Sequence, residues 1–453
     1  MPSAELLRYN GDCRRAQAMN PANAKGESLL TFNDSLHRQA GAEASTIVTK
    51  RLVFHLGGYD PITPYVVAQR RFVRELARFE RTWSIKASMG ALDESADQAK
   101  WSVIARGPNW QVESDYRLVR WDDVIEDFSG QTIWRRVALG VIACLDFIWS
   151  GALWGYLRTN WHYAVFFLYP FVMFGLFVAA ACAAGVYALP RGHSIALAVG
   201  AGLLVMSALM LGPWRWLHLD MLFDDWIFAR DYVRSGNANL EKRLDSLARE
   251  IVVAARSSRV DEIVVAGHSL GAALAVNLLD RALQLDPSLG STGTPITFLS
   301  IGSSILKVGL HRAASRFRAA VERVAKAPGI LWGDFQARVD IMNFYNVNPM
   351  AEMSLPSQPG PVIRLVELGR MLEHNVYRRM RLRFYRLHSQ FVSGNDKRAS
   401  YDYFMLVCGP VSARYQTLAP DGALSMVGED GSLKDGPAHG AGLSERAPPT
   451  YAL

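Results

Sequence analysis

The chain has 453 residues, half of them hydrophobic, and a formal net charge of +7. Its length leaves room for one large domain or roughly two or three small ones. The four cysteines (Cys13, Cys144, Cys182 and Cys408) lie far apart, which excludes a disulfide framework and a cysteine metal site. A basic chain can bind nucleic acid or anionic lipid. The sequence has no zinc-ligand spacing, RNA-binding signature or glycine-rich phosphate loop, so the long apolar segments favour lipid over nucleic acid.

The first part of the chain is polar and then gives strand and helix signals. Residues 1–45 are polar, small and without periodicity, which predicts a flexible arm. An apolar run that ends in His55, Leu56, Gly57 and Gly58 predicts a strand followed by a glycine turn. Alternation within residues 110–118 predicts another strand. An amphipathic helix between them is predicted by apolar residues at steps of four, three and four: Phe72, Leu76, Phe79 and Trp83.

Two long apolar runs interrupt this pattern, at residues 163–189 and 194–214, and neither contains a formal charge. Each is long enough to cross a hydrocarbon core of about 30 Å as a helix. Only residues 190–193 separate them, which predicts a transmembrane hairpin. Aromatic residues near the ends of the runs are expected at the membrane interface: Trp161, Tyr163, Tyr187, Trp214 and Trp216. Arginines flank the hairpin on both sides while the turn has only Arg191, so both ends are expected in the cytoplasm.

A third apolar stretch, residues 137–157, contains Asp146 near its centre. A central aspartate costs about 2.5–3.5 kcal/mol on membrane-insertion scales. A third span would also place the parts before and after it on opposite sides of the membrane. We therefore interpret this stretch as an interfacial or protein-packed helix within a membrane insertion that covers residues 131–220.

The soluble pattern continues after the insertion with strands that alternate with helices. This alternation predicts a parallel sheet with helices on its faces. Residues 46–130 and 221–417 are thus expected to be the two parts of one α/β domain. Residues 418–453 are rich in Gly, Pro, Ser and Ala, which predicts a disordered tail.

The motif that indicates chemistry is Gly267-His268-Ser269-Leu270-Gly271, with a predicted strand before it and a predicted helix after it. In such a Gly-x-Ser-x-Gly elbow the serine occupies a sharp, strained turn with its hydroxyl above the sheet. The flanking glycines are small because the backbones must pass each other closely. The following helix directs N–H groups and its positive dipole end towards developing negative charge.

The sequence VVAGHSLGAALA resembles the nucleophile elbow of lipases in the α/β-hydrolase superfamily. The resemblance is specific over about 15 residues and weaker over residues 46–84 and 240–410. It implies an α/β-hydrolase fold, interrupted here by the membrane insertion. It also implies an oxyanion hole formed by backbone N–H groups around Gly57 to Tyr59 and by that of Leu270. The family's His-Gly-Gly-Gly pattern is only partly matched, because two glycines follow His55-Leu56 instead of three.

The same resemblance implies a catalytic triad in the order serine, acid, histidine. Among the later histidines, His388 follows a strand-like segment and precedes a polar turn, as a catalytic histidine should. His311 precedes the expected acid, His374 falls in a predicted helix and His439 in the predicted tail. Asp340, just past the predicted strand GILWGDFQA, is the preferred acid, and Asp334 within that strand is the alternative.

These observations predict a membrane-anchored serine hydrolase. Ser269 would attack an ester or thioester carbonyl, His388 would take its proton and later activate water, and Asp340 would orient His388. Neither a metal nor an organic cofactor is expected, and the expected substrates are lipid-like or acylated molecules. An acyltransferase with the same triad and a non-enzymatic membrane scaffold with this fold remain as alternatives.

Overall fold

The computed structural model describes residues 46–59, 65–189 and 195–434. The predicted arm at residues 1–45, the turn at residues 190–193 and the last part of the predicted tail, with His439, lie outside the described residues.

The described residues contain nine strands and a larger set of helices. The strands are β1 Lys50–Leu56, β2 Lys86–Met89, β3 Asp93–Glu94, β4 Gln98–Gly107, β5 Trp110–Val119, β6 Glu262–His268, β7 Ile296–Ile301, β8 Ile330–Gln336 and β9 Val362–Leu365. The helices of the first part and of the insertion are α1 Tyr65–Trp83, α2 Asp122–Ser129, α3 Ile133–Trp149, α4 Ala152–Thr159, α5 Trp161–Ala188, α6 Ile195–Leu211 and α7 Pro213–Trp216. The remaining helices are α8 Leu219–Arg234, α9 Ala238–Ser257, α10 Gly271–Leu285, α11 Ile305–Gly309, α12 Ser315–Lys326, α13 Pro349–Glu352, α14 Leu368–Met371, α15 His374–Met380, α16 Phe384–Ser389, α17 Tyr403–Cys408 and α18 Ala413–Leu418.

The strands form one sheet in the order β2-β4-β5-β1-β6-β7-β8-β9, and β3 pairs with β4. The strands from β5 to β9 in this order run parallel to one another, while β4 is antiparallel to its neighbours. β6 is buried throughout and β1 is buried after its first residue, as expected for parallel strands covered on both faces. The predicted α/β class with a mostly parallel central sheet is confirmed.

Two hydrophobic clusters cover the two faces of the sheet. On one face, α1 and α17 pack on the strands, and the four apolar residues that predicted α1 are all buried. On the other face, α9, α10 and α12 pack together with part of the insertion. Because β1, β6, β7 and β8 run parallel, their carboxyl ends lie together at one edge of the sheet. Parallel α/β sheets carry ligand sites at this edge.

Two helical segments are long and apolar enough to cross a membrane: α5, and residues Ile195–Trp216, which comprise α6 and α7. The helices α5 and α6 pack against each other. They correspond to the predicted runs, although α5 already begins at Trp161. Two of the expected interfacial aromatics, Tyr163 and Trp214, are instead buried inside the protein. Trp161, Tyr187 and Trp216 are exposed, as an interfacial position requires.

The first third of α5 belongs to the core of the α/β domain and not to the apolar part that could span a membrane. Tyr163, Phe166 and Phe167 are buried in the same cluster as the helices beneath the sheet. The Tyr163 ring stacks on Phe344 with centroids 4.1 Å apart. Residues 169–188 remain, and as a helix they rise about 30 Å, which is the thickness of a hydrocarbon core.

The stretch that contains Asp146 forms two helices, α3 and α4, which are bent by 68° relative to each other. The pair is apolar enough that it could count as a third, broken span. However, one face of α3 packs on α8, and Asp146 pairs with Arg234 at 2.5 Å and with Arg230 at 3.5 Å. These ion pairs explain how the helix tolerates a carboxylate in an apolar sequence.

Several predicted elements differ from the structure. The segment before His388 was expected to be a strand, but residues 384–389 form α16, in which Leu387 and His388 are buried and Phe384 is partly buried. Residues 364–380 were expected to form one helix around His374, but Arg364 and Leu365 belong to the edge strand β9, and the helix that contains His374 is the shorter α15. The antiparallel strands β2 to β4 were not predicted. Residues 418–434 are not a disordered tail, because Ala423, Met426 and Val427 are buried against the α1 side of the sheet.

Candidate active site

Ser269 occupies the turn between β6 and α10 and has a left-handed backbone conformation with φ of 55°. This conformation is unusual for a residue with a side chain and is held by the surrounding hydrogen bonds. The Ser269 N–H donates to the Ile301 carbonyl at 3.0 Å, and its carbonyl accepts from the N–H of Ser304 at 3.1 Å. The turn therefore fixes the serine against the end of β7.

The glycines of the elbow are required by close backbone packing. A Cβ on Gly267 would lie 2.5 Å from Ala272 Cα, and a Cβ on Gly271 would overlap the carbonyl oxygens of Leu56 and Gly57. The elbow thus packs directly on the loop that follows β1. A Cβ on Gly58 would lie 2.8 Å from Ser269 Cβ, so the glycine loop passes immediately beside the serine side chain.

Backbone donors surround this serine from two directions. The N–H groups of Gly58, Tyr59 and Leu270 have no acceptor among the described residues. Gly58 and Tyr59 follow β1, and Leu270 immediately precedes α10. Free N–H groups at these positions can donate hydrogen bonds to a developing oxyanion without prior reorganisation.

His388 and Asp340 meet at the same edge of the sheet. His388 Nδ1 lies 2.6 Å from Asp340 Oδ2, and both side chains are buried. Asp340 Oδ1 accepts from the N–H of Met342 at 2.9 Å. Asn343, also fully buried, donates to the carbonyls of Ala337 and Asp340 and so fixes the loop after β8.

His388 Nε2 is buried and has no hydrogen-bond partner among the described residues. The Ser269 hydroxyl likewise has no hydrogen bond to them in this conformation. Nucleophile–base bonds are often long in the absence of substrate and tighten only in the complex. The arrangement consists of a formed His388–Asp340 pair, a free Nε2 and a serine at the same strand edge.

Asp334, the alternative acid, lies elsewhere. It is buried within β8, where it accepts from Ser300 Oγ at 2.5 Å and from Gln336 Nε2 at 2.6 Å. Burial raises its pKa to about 6, although both hydrogen bonds act in the opposite direction. The structure brings Asp340, and not Asp334, to His388.

Two further histidines lie at the site. The His268 ring lies 4.6 Å from the His388 ring, and its Nε2 is 3.3 Å from the His388 carbonyl oxygen. Burial lowers the pKa of His268 well below its usual value, and the neighbouring His388 lowers it further. His55 Nδ1 is 2.8 Å from the Tyr403 hydroxyl, which also contacts the Tyr116 hydroxyl. Burial, followed by the charge of Arg71, lowers the pKa of His55 to about 4, so both histidines are neutral at pH 7.

A cleft of about 180 Å³ opens beside Ser269 and His388. Its polar lining includes His55, Arg71 and Glu75. Most of the remaining wall is aromatic or aliphatic, including Phe72, Trp101, Tyr116, Trp121, Ile125 and Phe404. This composition suits an apolar group next to a reacting polar centre.

These aromatic residues come from α1, β4, β5, α17 and, for Trp121, the connection between β5 and α2. Sequence alone could not assign them to a cleft, because their periodicity indicates only that they are buried. Within the described residues, no group of three or more His, Cys, Asp and Glu side chains is placed to hold a metal ion.

Comparisons with known proteins give no assignment. No protein-family model matches the chain, and neither a curated protein nor a solved structure matches it significantly.

Proposed function

We propose that the chain is a membrane-anchored serine hydrolase that cleaves carboxylic ester or thioester bonds. The observation that carries this proposal is the convergence of three features at one edge of the sheet. They are the strained Ser269 beside the Gly58 loop, the buried His388–Asp340 pair, and the free N–H groups on both sides of the serine. The strand order and the elbow between β6 and α10 further support an α/β-hydrolase fold.

In the proposed reaction, His388 Nε2 accepts the proton of Ser269 as its oxygen attacks the carbonyl carbon. The carbonyl oxygen becomes an oxyanion that accepts hydrogen bonds from the N–H groups of Leu270 and of Gly58 or Tyr59. His388 then protonates the leaving alcohol or thiol, and the acyl group remains on Ser269. A water molecule deprotonated by His388 attacks the acyl-enzyme, which releases the acid and restores the serine. Asp340 accepts from Nδ1–H throughout and stabilises the imidazolium.

The apolar cleft and the two apolar helices support lipid-like or acylated substrates. Phe72, Trp101 and Trp121 offer an aromatic surface for an acyl or similar apolar group beside Ser269. The helices α5 and α6 would hold this cleft near a bilayer, where such substrates concentrate.

Labelling with a fluorophosphonate probe tests the proposed nucleophile. We expect the folded wild-type chain to be labelled and the Ser269→Ala variant to be unlabelled, because the probe forms a bond with an activated serine. An unlabelled folded wild type, or a labelled variant, would contradict the proposal. Release of acid from thioesters and esters of increasing chain length would then define the substrate class.

We also propose that the domain lies on the cytoplasmic side, since an even number of spans keeps residues 46–130 and 221–417 together. Single cysteines at Gly192, in the turn, and at Arg259, before β6, test this orientation. In intact cells, a membrane-impermeant thiol reagent should label the first position only. Labelling of the second without permeabilisation would reverse the orientation.

A further inference from the structure

A strongly basic segment lies between the catalytic histidine and the membrane helices. Residues 374–389 contain five arginines (Arg378, Arg379, Arg381, Arg383 and Arg386) and no acidic residue. All five are exposed, and none forms an ion pair with a described residue. Leu382, in their midst, is 85 % exposed. A free cationic surface around an exposed leucine is not explained by the fold or by the proposed hydrolysis.

The position of this segment relative to α5 is fixed by ring contacts. The Phe384 ring lies 6.3 Å from that of Phe166 and 6.4 Å from that of Tyr169, both on α5. On its other side it contacts His218, just after α7, at 6.5 Å. The Tyr169 hydroxyl donates to the Leu217 carbonyl at 3.3 Å. This hydrogen bond joins α5 to the residue that follows α7.

These contacts place the segment at the level where the hairpin leaves the protein core. The lipid-length part of α5 begins at about Tyr169, and Trp216 at the same end of the hairpin is 80 % exposed. Exposed tryptophan and arginine side chains are typical of the membrane–water interface. The arginines therefore lie where lipid phosphates would lie in a bilayer spanned by α5 and α6.

We propose that residues 378–386 are a docking surface for the anionic phospholipids of the leaflet next to the catalytic domain. The guanidinium groups bind the lipid phosphates, because the segment has free donors and no internal acid. Leu382 enters the boundary between headgroups and acyl chains. This inference depends on the proposed insertion of the hairpin but not on the proposed hydrolysis.

The segment is also connected directly to the site. α16 carries Phe384, which packs on α5, and His388, which pairs with Asp340. Tyr385 of the same helix lines the cleft beside Ser269. Lipid bound to the segment therefore contacts the loop and helix that hold the histidine and the cleft wall.

The test uses the full chain in lipid nanodiscs with an environment-sensitive dye at position 382. The dye is attached to Leu382→Cys in a chain whose Cys13 and Cys182 are serine, since Cys144 and Cys408 are buried. Discs of phosphatidylcholine are compared with discs that also contain about 30 % phosphatidylglycerol. We expect dye emission to rise about two-fold or more in the anionic discs and the rise to disappear in high salt.

Two triple variants separate the segment from net charge. R378Q/R379Q/R381Q should abolish the rise. R81Q/R106Q/R259Q removes the same charge from exposed positions at the opposite end of the sheet, near the end of α1 and before β5 and β6, and should retain it. Equal emission in both discs, a rise that survives the first variant, or one lost in the second would overturn the proposal.

Two more outcomes are informative. Inorganic phosphate added to neutral discs should leave the emission unchanged, and a rise there would reassign the surface to a soluble anion. A chain that does not enter the discs would overturn the anchoring and this proposal with it. Fluorophosphonate labelling of Ser269 in the same samples reports separately on the proposed hydrolase.

Discussion

A substitution at Asp340 tests the proposed triad most directly, because the two carboxylate oxygens of this residue have different partners. Oδ2 contacts His388 Nδ1 at 2.6 Å, and Oδ1 accepts from the Met342 N–H. Asp340→Asn preserves the shape but presents an amide to the imidazole, which favours the wrong tautomer. We expect the rate of ester hydrolysis to fall about 10⁴-fold, as measured in steady-state assays on the folded variant.

Asp334→Asn is the matched control, since it changes the same atoms in the other candidate acid. Asp334 bonds Ser300 and Gln336 and does not contact His388. Its replacement should retain hydrolysis, while the free energy of unfolding decreases by about 1–2 kcal/mol because one buried acceptor is lost. If the two variants exchange these results, the assignment of Asp340 is wrong.

At the residue scale, the sequence predicts those residues whose proposed roles follow from their order in the chain. Ser269, Asp340 and His388 could be selected because the elbow is local and the order serine, acid, histidine constrains the rest. His268, whose ring lies 4.6 Å from that of His388, acts through a tertiary contact that no local pattern encodes. Asn343 fixes the loop after β8 that carries Asp340. For Asn343 a weak signal exists, since asparagine in a tight turn often bonds nearby backbone.

At the scale of elements, the loop after β1 and the elbow before α10 function as one unit. Gly58→Ala places a methyl group 2.8 Å from Ser269 Cβ, so the loop must move and its N–H groups leave their positions. We expect hydrolysis to fall about 10²–10³-fold, comparable to the loss of an oxyanion donor. The measurement is kcat/KM on a soluble ester, with circular dichroism to verify the fold.

The neighbouring glycine gives the control for this loop. A Cβ on Gly57 would meet only His55 Nε2, at 4.0 Å, and the backbone N–H groups would stay in place. Gly57→Ala should therefore retain most activity. A comparable loss in both variants would indicate a general effect of loop stiffness and not the displacement of a donor.

The elements that were predicted wrongly have a common physical cause. Residues 380–384 alternate between apolar side chains and arginine, which is typical of a strand when the spatial neighbours are unknown. In the structure, Phe384 packs on α5, while Leu387 and His388 are buried beside the site. Tertiary contacts therefore favour a helix over the strand that the local alternation predicts. Residues 418–434 have a tail-like composition, but contacts with the α1 side of the sheet bury the few apolar residues they contain.

At the scale of the whole molecule, the hairpin has a part that belongs to the core and a part that does not. Replacing residues 175–208 by a short Gly-Ser linker should release the chain from membranes, because it removes most of both apolar spans. A short linker suffices, because packed neighbouring helices lie only about 8–10 Å apart. Fluorophosphonate labelling of Ser269 should persist, because Tyr163, Phe166 and Phe167 are retained. Membrane fractionation and labelling of the same preparation measure both effects.

Removal of residues 163–214 is the contrasting change. It deletes several buried aromatic side chains, each worth about 3–5 kcal/mol, which together exceed the stability of a typical domain. This variant should be unfolded and unlabelled. An active chain after the long deletion, or an inactive one after the short deletion, would show that α5 does not belong to the core as described.

The continuity of α5 has a consequence for how the molecule would search for substrate. One unbroken helix, 28 residues long, extends from the packing beside the acid loop to the far end of the hairpin, about 42 Å away. In a bilayer, the orientation of the α/β domain would then be coupled to that of its anchor, because the first part of α5 is buried in the core of that domain. The mouth of the cleft would keep a constant height and angle above the leaflet. Encounter with a lipid substrate becomes a two-dimensional search by lateral diffusion, in which every collision presents Ser269 in the same orientation.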